Sequence, residues 1–409
     1  MGRKKKIRKV LLIEPNYSNK YPPVGLMKLA TYYRNLGNWE VVFYKGDLKE
    51  FVIDRITDKC VEALTKIDSD VNWKYRKDSI YEYIRTRKKA AYDDIRVDDS
   101  SMSVLASAKI IEAKDYYWKG IWKENPEWDR VGITTLFTFY WDITIETINF
   151  AKYLVKDAKN LMVGGVLASI QPKEIEAATG IKPHVGILNK PGQLDKGDTQ
   201  IIDELPLDYS ILDEIEYEYP MSNAFYGYLT RGCIRKCPFC AVPTLEPVYN
   251  PYIQISERVN AVRELYGDQR DMLLMDNNVL ASENFKEIVD DLIKAGFGKG
   301  AMYEEPNHLE IAVRNLRNGI NDRAYIRKTQ SLLRELCGKA KGEDSYVVYR
   351  VMKDNYVDKL TTATKDNLLL TYERVKDIAL KYHRPKRVRR TLDFNQGVDA
   401  RLFDEEKVN

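Results

Sequence analysis

Cys233, Cys237 and Cys240 are the residues of this chain best suited to chemistry. They stand in the run Cys-Ile-Arg-Lys-Cys-Pro-Phe-Cys, so three thiols share one short loop, introduced by Thr230, Arg231 and Gly232. Three thiolates at this spacing can wrap three corners of a cubane 4Fe-4S cluster and leave the last iron without a protein ligand. An open iron is a place where a cofactor or substrate can bind. The competing metal is structural zinc, which needs a complete set of N or S ligands and usually draws on a second CxxC or HxxxH pair. The sequence offers no such pair. Its three histidines, His184, His308 and His383, are isolated from one another and from the loop. Five cysteines among 409 residues make no disulfide framework, and the clustering of three of them points to metal or redox chemistry. Cys60 and Cys337 are single residues and read as buried or incidental thiols.

Composition narrows the class. With 44% hydrophobic and 31% charged residues, a chain of this length can bury two ordinary cores. The net charge of +4 is small, so a nucleic-acid partner is not supported by the total. The basic runs Arg3 to Lys9 and Arg384 to Arg390 read as a solvated tail and a solvated loop. No stretch approaches the run of about 18 apolar residues that crosses a bilayer. The N-terminus, MGRKKKIRKV, leads into a strand instead of an apolar signal core. The expectation is a soluble, cytoplasmic protein with no membrane partner.

The elements that must position the cysteines follow an alternation of strand and helix. IRKVLLIEP, from Ile7 to Pro15, reads as a buried parallel strand. A helix follows with Leu26, Leu29, Ala30 and Tyr33 on one face, ended by Gly37, and then the strand EVVFYKG. The pattern lapses over about residues 48–128, a charged and mostly helical insertion, and returns at RVGITTLF. A helix through Ile145, Ile148 and Leu154, a strand ending in Gly164 and Gly165, a helix from Pro172 and a last strand, HVGIL, complete a flavodoxin/Rossmann-like sheet of five strands. Residues 203–220 form an acidic, proline-punctuated linker. This divides the chain into domains at 1–205 and 206–409.

In the second domain, GYLTRG is the strand that leads into the cysteine loop. MLLMDNNVL is the next, followed by a helix with Phe285, Ile288, Val289, Leu292 and Ile293 on one face. RTLDFNQGVDARL is the third strand, and about residues 301–390 before it form a second charged helical insertion. Gln396, Asp399 and Arg401 fall at alternate or near-alternate positions of this strand and would face the lumen of a barrel; the plainer reading is turn or surface polarity.

The CxxxCxxC loop with an aromatic residue, Phe239, before its last cysteine resembles the signature of the radical S-adenosylmethionine (SAM) superfamily. The blocks TRGCIRKCPFCAVPTLEP, VGGVLASIQPKEIEAATG and DFNQGVDARLF are similar to those of radical SAM proteins with an N-terminal cobalamin-binding-like domain. The resemblance implies an α/β fold in which a Rossmann-like domain precedes a partial (β/α) barrel. It implies that Cys233, Cys237 and Cys240 hold the 4Fe-4S cluster and that the amino and carboxylate groups of SAM bind the open iron. One electron then cleaves SAM to methionine and a 5'-deoxyadenosyl radical, which takes a hydrogen atom from a substrate. By the same resemblance, the backbone of Phe239 approaches the adenine, and Asp276, Asn277 and Asn278 lie near the SAM amino group, where the family commonly has Gly-Gly-Glu. An electron donor of flavodoxin or ferredoxin type is implied as a partner.

Two features depart from the family. Base-off, His-on cobalamin needs an Asp-x-His-x-x-Gly loop after the first strand, and Glu14-Pro15-Asn16-Tyr17 stands there. Three readings stay open: cobalamin held without a protein ligand to cobalt, another ligand at Gly164 and Gly165, or a domain that packs against the barrel and binds nothing. The missing histidine favours the last two. The sequence also stops at Asn409, soon after the third strand. The expectation is a barrel interrupted part-way, as in a fragment, a split gene product or a truncated chain, with an open parallel edge that a second chain could complete. The competing function for the whole is a non-catalytic Fe-S or zinc-binding scaffold whose charged insertions recruit partners.

Overall fold

The apolar run at residues 10–13 sets the centre of the first domain. In the computed structural model, which describes residues 6–95, 103–395 and 399–402, it lies in β1 (Arg8–Glu14) and is completely buried. A parallel strand covered on both faces requires such a run. α1 (Val24–Asn35) and β2 (Trp39–Lys45) follow, and β2 pairs with β1 from Arg8↔Trp39 to Glu14↔Lys45. α2 (Leu48–Ile67) starts at Asp47, whose side chain accepts a hydrogen bond from the Lys49 amide at 2.8 Å. Around it pack α3 (Lys77–Thr86), α4 (Lys89–Asp93) and α5 (Val104–Trp118). The chain returns through β3 (Arg130–Thr135), α6 (Trp141–Ala151), β4 (Leu161–Gly165), α7 (Val166–Ile170) and α8 (Pro172–Thr179). All four strands are parallel, in the order β2-β1-β3-β4, so the winding reverses between β1 and β3.

Several sequence expectations change here. HVGIL makes no fifth strand: only the His184 amide bonds to β4, donating to Val163 O at 2.7 Å. Pro183 has no N–H to offer, and Gly186 adopts φ +82°, so extended pairing stops on both sides of that residue. Residues 48–128 are not all insertion, because α2 is the crossover between β2 and β3. Its Phe51, Val52, Ile56, Cys60 and Leu64 join Leu11, Ile13, Val131 and Ile133 in one core. Burial in that core pushes the Cys60 thiol up to about 12, the behaviour of an inert packing residue.

The acidic segment 203–220, read as a linker, is a largely buried wedge. Leu207, Asp208, Tyr209, Ser210, Ile211, Glu214 and Tyr219 are all buried. Its acids are tolerated there because each of the following has a cationic partner: Asp203 pairs with Lys28 at 2.7 Å, Asp208 with Arg34 at 2.6 Å and Asp213 with Lys328 at 2.8 Å. Helix α1 is correspondingly buried on two sides. Leu26, Met27, Ala30, Tyr32 and Tyr33 belong to a core that also holds Ile211, Phe225, Leu229 and Met272 of the second domain.

The second domain runs β5 (Ala224–Gly227), α9 (Val242–Leu245), α10 (Ser256–Tyr266), β6 (Asp271–Leu274) and α11 (Phe285–Lys294). It continues with β7 (Met302–Glu304), α12 (His308–Asn318), α13 (Asp322–Lys339), α14 (Glu343–Asp354), α15 (Lys365–Tyr382), β8 (Arg387–Arg389) and β9 (Leu392–Phe394). Strands β5, β6 and β9 form a parallel arc in that order. The four helices α12 to α15 enclose a core of their own, including Leu316, Tyr325, Leu333, Val348 and Val375. They stand on the antiparallel pair β7–β8. The chain is therefore α/β, a Rossmann-like parallel sheet followed by a partial parallel βα arc. On α11 the buried stripe is Ile288, Asp291 and Leu292, with Val289 and Ile293 exposed. Asp291 faces inward because its carboxylate accepts hydrogen bonds from the Ile255 and Ser256 amides at the start of α10, which rotates the expected face.

Candidate functional site

The cysteine loop rises from the C-terminal end of β5, where ligands bind in parallel α/β sheets. Its base is buried. Leu229, Thr230, Arg231 and Gly232 are covered, and the Arg231 and Asn250 amides exchange hydrogen bonds of 3.1 and 2.9 Å that close the loop into a lobe. Gly232 adopts φ +70°, and a Cβ there would come within 2.7 Å of Val248 O, so glycine is the residue this approach allows. Its amide donates to Glu246 Oε2 at 2.7 Å. Under the base lies Asp276, whose carboxylate accepts from the Leu229 amide (2.9 Å), the Thr230 amide (2.5 Å) and the Thr230 hydroxyl (2.7 Å). Burial pushes this carboxyl up to about 6 against the pull of those donors.

The tip is open. Cys233 and Cys237 are half-buried, Cys240 is exposed, and the Phe239 ring is 91% exposed. The Cys240 amide donates to Cys237 O at 3.0 Å, and the Arg235 amide points at Cys233 Sγ from 3.4 Å. Facing the loop is the end of β6. Asn277 Nδ2 donates to Glu246 Oε2 at 3.2 Å, while Asn278 places Nδ2 4.0 Å from Cys233 Sγ and accepts the Asp399 amide on Oδ1 at 3.3 Å. Asp399 pairs with Arg235 of the loop at 3.1 Å and with Arg401 at 2.7 Å. The Arg401 hydrogen bond holds the Asp399 carboxyl down at about 2.

Of the residues singled out from sequence, the structure thus gathers Cys233, Asn278, Asp399 and Arg401 in one neighbourhood, with Asn277 on its flank. Asp276 is engaged beneath the loop. Gln396 lies outside the described residues. Asp399 and Arg401 do not sit on a strand as the alternation implied. β9 covers only Leu392–Phe394, because its partner β6 ends at Leu274, and Arg401 lies in the short 3-10 turn Ala400–Leu402.

Among the described residues, no three His, Cys, Asp or Glu side chains converge closely enough to hold a single metal ion. The donor set is instead three thiols on one open loop, the chemistry of a cubane with an uncovered corner. Two further observations fit a group at this place. An N–H is already aimed at a thiol sulfur. Among the described residues, the buried Tyr249 hydroxyl makes no hydrogen bond of sound geometry; it lies near Cys233 and near Ser282, whose own hydroxyl donates to Pro251 O.

No family model and no curated protein matches the chain. One solved structure that it resembles is the radical SAM methyltransferase TsrM of Kitasatospora setae, determined with a tryptophan substrate and a SAM analogue bound. Identity is 14% and the TM-score 0.33, over 78% of this chain and 53% of the other, a likeness too slight to carry an argument. The chain spans about half the length of that protein.

The first domain presents the equivalent strand edge with its polar groups satisfied internally. Glu14 is fully buried between Lys45 at 3.2 Å, Asn19 Nδ2 at 2.9 Å and the hydroxyl of Tyr219, which reaches over from the wedge. At Gly165 a Cβ would meet Thr135 O at 2.4 Å, so this glycine serves sheet packing. The amides that open α7 are taken as well: Leu167 donates to Leu136 O at 2.7 Å and Ala168 to Thr135 Oγ1 at 2.9 Å.

Sequence reasoning missed Lys28, Asp203, Arg231 and Glu246, which brace the loop from outside it. The one available signal was Lys28, a charge set among the apolar positions of α1.

Proposed function

We propose that this chain is the SAM-cleaving part of a radical SAM enzyme, with its active centre at the tip of the cysteine loop. The observation that carries this reading is the contrast between the locked, buried base of the loop and its open tip, where Cys240 is exposed and Cys233 and Cys237 half-buried, beside Asn278, Asp399 and Arg401. Cys233, Cys237 and Cys240 would hold a 4Fe-4S cluster, which, when bound, supplies the electron that cleaves SAM and an iron on which SAM is held. The chain's own residues have separate tasks. The Arg235 amide and Asn278 Nδ2 are directed at the Cys233 sulfur. Asn277, engaged through Nδ2, offers its carbonyl oxygen to a SAM ammonium, and the exposed Arg401 guanidinium suits a carboxylate. Phe239 presents backbone and ring to an adenine. Arg235 and Lys236 line the solvent side, where an acidic electron donor of flavodoxin or ferredoxin type would approach. The first domain, its strand edge internally satisfied, has a packing role.

Anaerobic reconstitution with iron and sulfide tests the reading, using metal content and the reduced-state EPR spectrum with and without SAM. The expected result is about four irons per chain, absent in Cys237→Ala, with a spectrum that SAM shifts. About one zinc per chain, or no bound iron, would overturn it in favour of a non-catalytic scaffold.

A further inference from the structure

Four buried charges of alternating sign run unbroken from the first helix of the chain to the amide next to Cys233. Lys28 Nζ, on α1, meets Asp203 Oδ1 at 2.7 Å and the Asp203 carbonyl at 2.6 Å. Asp203 is then gripped by Arg231, through NH2 to Oδ1 at 2.5 Å and Nε to Oδ2 at 3.1 Å. Arg231 NH1 reaches Glu246 Oε1 at 2.6 Å. The other Glu246 oxygen accepts the Gly232 amide at 2.7 Å and Asn277 Nδ2 at 3.2 Å. No side chain in the string is more than 14% exposed. The Arg231 guanidinium also lies 3.4 Å from the centroid of the Tyr228 ring, which fixes its plane.

We infer that Lys28 is a positioning residue for the cysteine loop, acting through Asp203, Arg231 and Glu246 on the Gly232 amide. This rests on the radical SAM reading for its consequence, though not for its geometry. The electrostatics explain why the effect would travel. With Lys28 present the string is neutral, two cations against two anions. Without it the string carries one excess negative charge, and Arg231 is the cation left in direct contact with both Asp203 and Glu246, Arg258 acting on Asp203 only from a distance. Low-dielectric surroundings make that competition strong. Each shift of Arg231 toward Asp203 releases Glu246, and with it the amide that sets the entry of Cys233. Burial pushes the Lys28 ammonium down to about 8 against the pull of Asp203. Ordinary interdomain adhesion does not need such an arrangement, since α1 already buries Leu26, Met27, Ala30 and Tyr33 in the shared core.

The test uses the full chain with Lys28→Met, which keeps the stem and removes the charge, beside Lys9→Met. Lys9 pairs with Glu127 at 2.9 Å in the first domain and has no link to the loop. The first readout is the rate at which a chelator strips iron from the reconstituted protein. The second is hydrogen exchange of the peptide spanning Gly232 to Cys240. Lys28→Met should release iron about tenfold faster, the low end for the loss of an outer-shell partner, and should exchange faster in that peptide while the helical bundle is unchanged. Lys9→Met should match wild type in both. If Lys28→Met fails to fold, Lys28→Gln, which keeps a donor, takes its place. Iron release and loop exchange equal to wild type in a folded variant would overturn the inference. A wild-type protein that binds no iron would sink the proposed function alone, and the exchange readout would still decide the role of Lys28.

Discussion

The two parallel sheets of this molecule end in opposite ways at the same topological place. At the C-terminal edge of the first, Glu14, Lys45, Asn19 and Tyr219 satisfy one another, and the amides at the start of α7 are taken by β3. At the corresponding edge of the second, the polar groups beneath the loop are satisfied while Cys240, Phe239 and Arg401 are exposed and Cys233 and Cys237 half-buried. Ligand-binding capacity in an α/β sheet is thus a matter of what the chain does with its own donors at that edge, and the strand topology alone does not supply it. The closed edge is a stability element. The open edge combines a rigid base with an uncommitted surface, the arrangement a preorganised site needs.

Substitutions at matched positions can separate the two. The largest effect is expected from Glu14→Ala, which leaves the Lys45 ammonium, its side chain 1% exposed, with the neutral acceptors Tyr17 O and Asn19 Oδ1 but without its carboxylate. A loss of about 3–5 kcal/mol in urea unfolding is expected, with iron content per folded chain unchanged. Asp276→Ala, the equivalent acid under the open edge, leaves two buried amides without an acceptor and should lose about 3 kcal/mol. Here iron loading should fall too, because the loop base is released. Gly165→Ala and Gly232→Ala form the sharpest pair, since each forces a Cβ against backbone at positive φ. Each should lose about 2–3 kcal/mol, but only Gly232→Ala should lose iron, as measured by metal analysis of the folded fraction. Equal iron loss in both would break the distinction between the edges.

The smallest effect concerns pH and the side of the first sheet, where Glu214 accepts the Phe43 amide at 2.9 Å and Asn321 Nδ2 at 2.9 Å. Burial raises its carboxyl from 4.5 to about 7. Between those values the folded protein holds a proton that the unfolded chain has released, so this group's contribution to stability is present below about 4.5 and is lost as pH rises to about 7. Glu214→Gln should flatten that part of the stability profile. The difference between wild type and variant, followed by chemical unfolding from pH 4.5 to 7.5, checks the sign.

Sequence alone disclosed what local periodicity and local spacing encode. β1 is legible because a fully buried strand needs an unbroken apolar run, and the cysteine loop because its three thiols lie within one turn-rich segment. HVGIL looked equally apolar, but Pro183 and the positive φ of Gly186 deny it a ladder. The wedge at 203–220 looked like a linker because its acids are conspicuous in sequence, whereas Lys28, Arg34 and Lys328, the cations that permit their burial, are distant in it. The charged string behind Gly232 was invisible for the same reason, being assembled from separate parts of the chain. Asp399 and Arg401 were found near the thiols, yet the strand assumed to carry them stops at Phe394, since β6 leaves nothing further to pair with.

The antiparallel pair beneath the helical bundle has a consequence for how such a chain can be rebuilt. Glu304 and Arg387 are register partners, so the path into α12 and the path out of α15 run side by side. Everything between them is a cassette on a two-stranded stalk, and exchanging it for a tight hairpin would leave the backbone route through the sheet below unaltered. Because both ends of the excision are already adjacent, loops of widely different length could be grafted there at little cost in closure entropy. Removal would cost the clamps the cassette makes on the wedge, Asn321 to Glu214 and Lys328 to Asp213, those on α10 through Arg314 and Asn315, and the Tyr75 to Asp358 contact with the first domain.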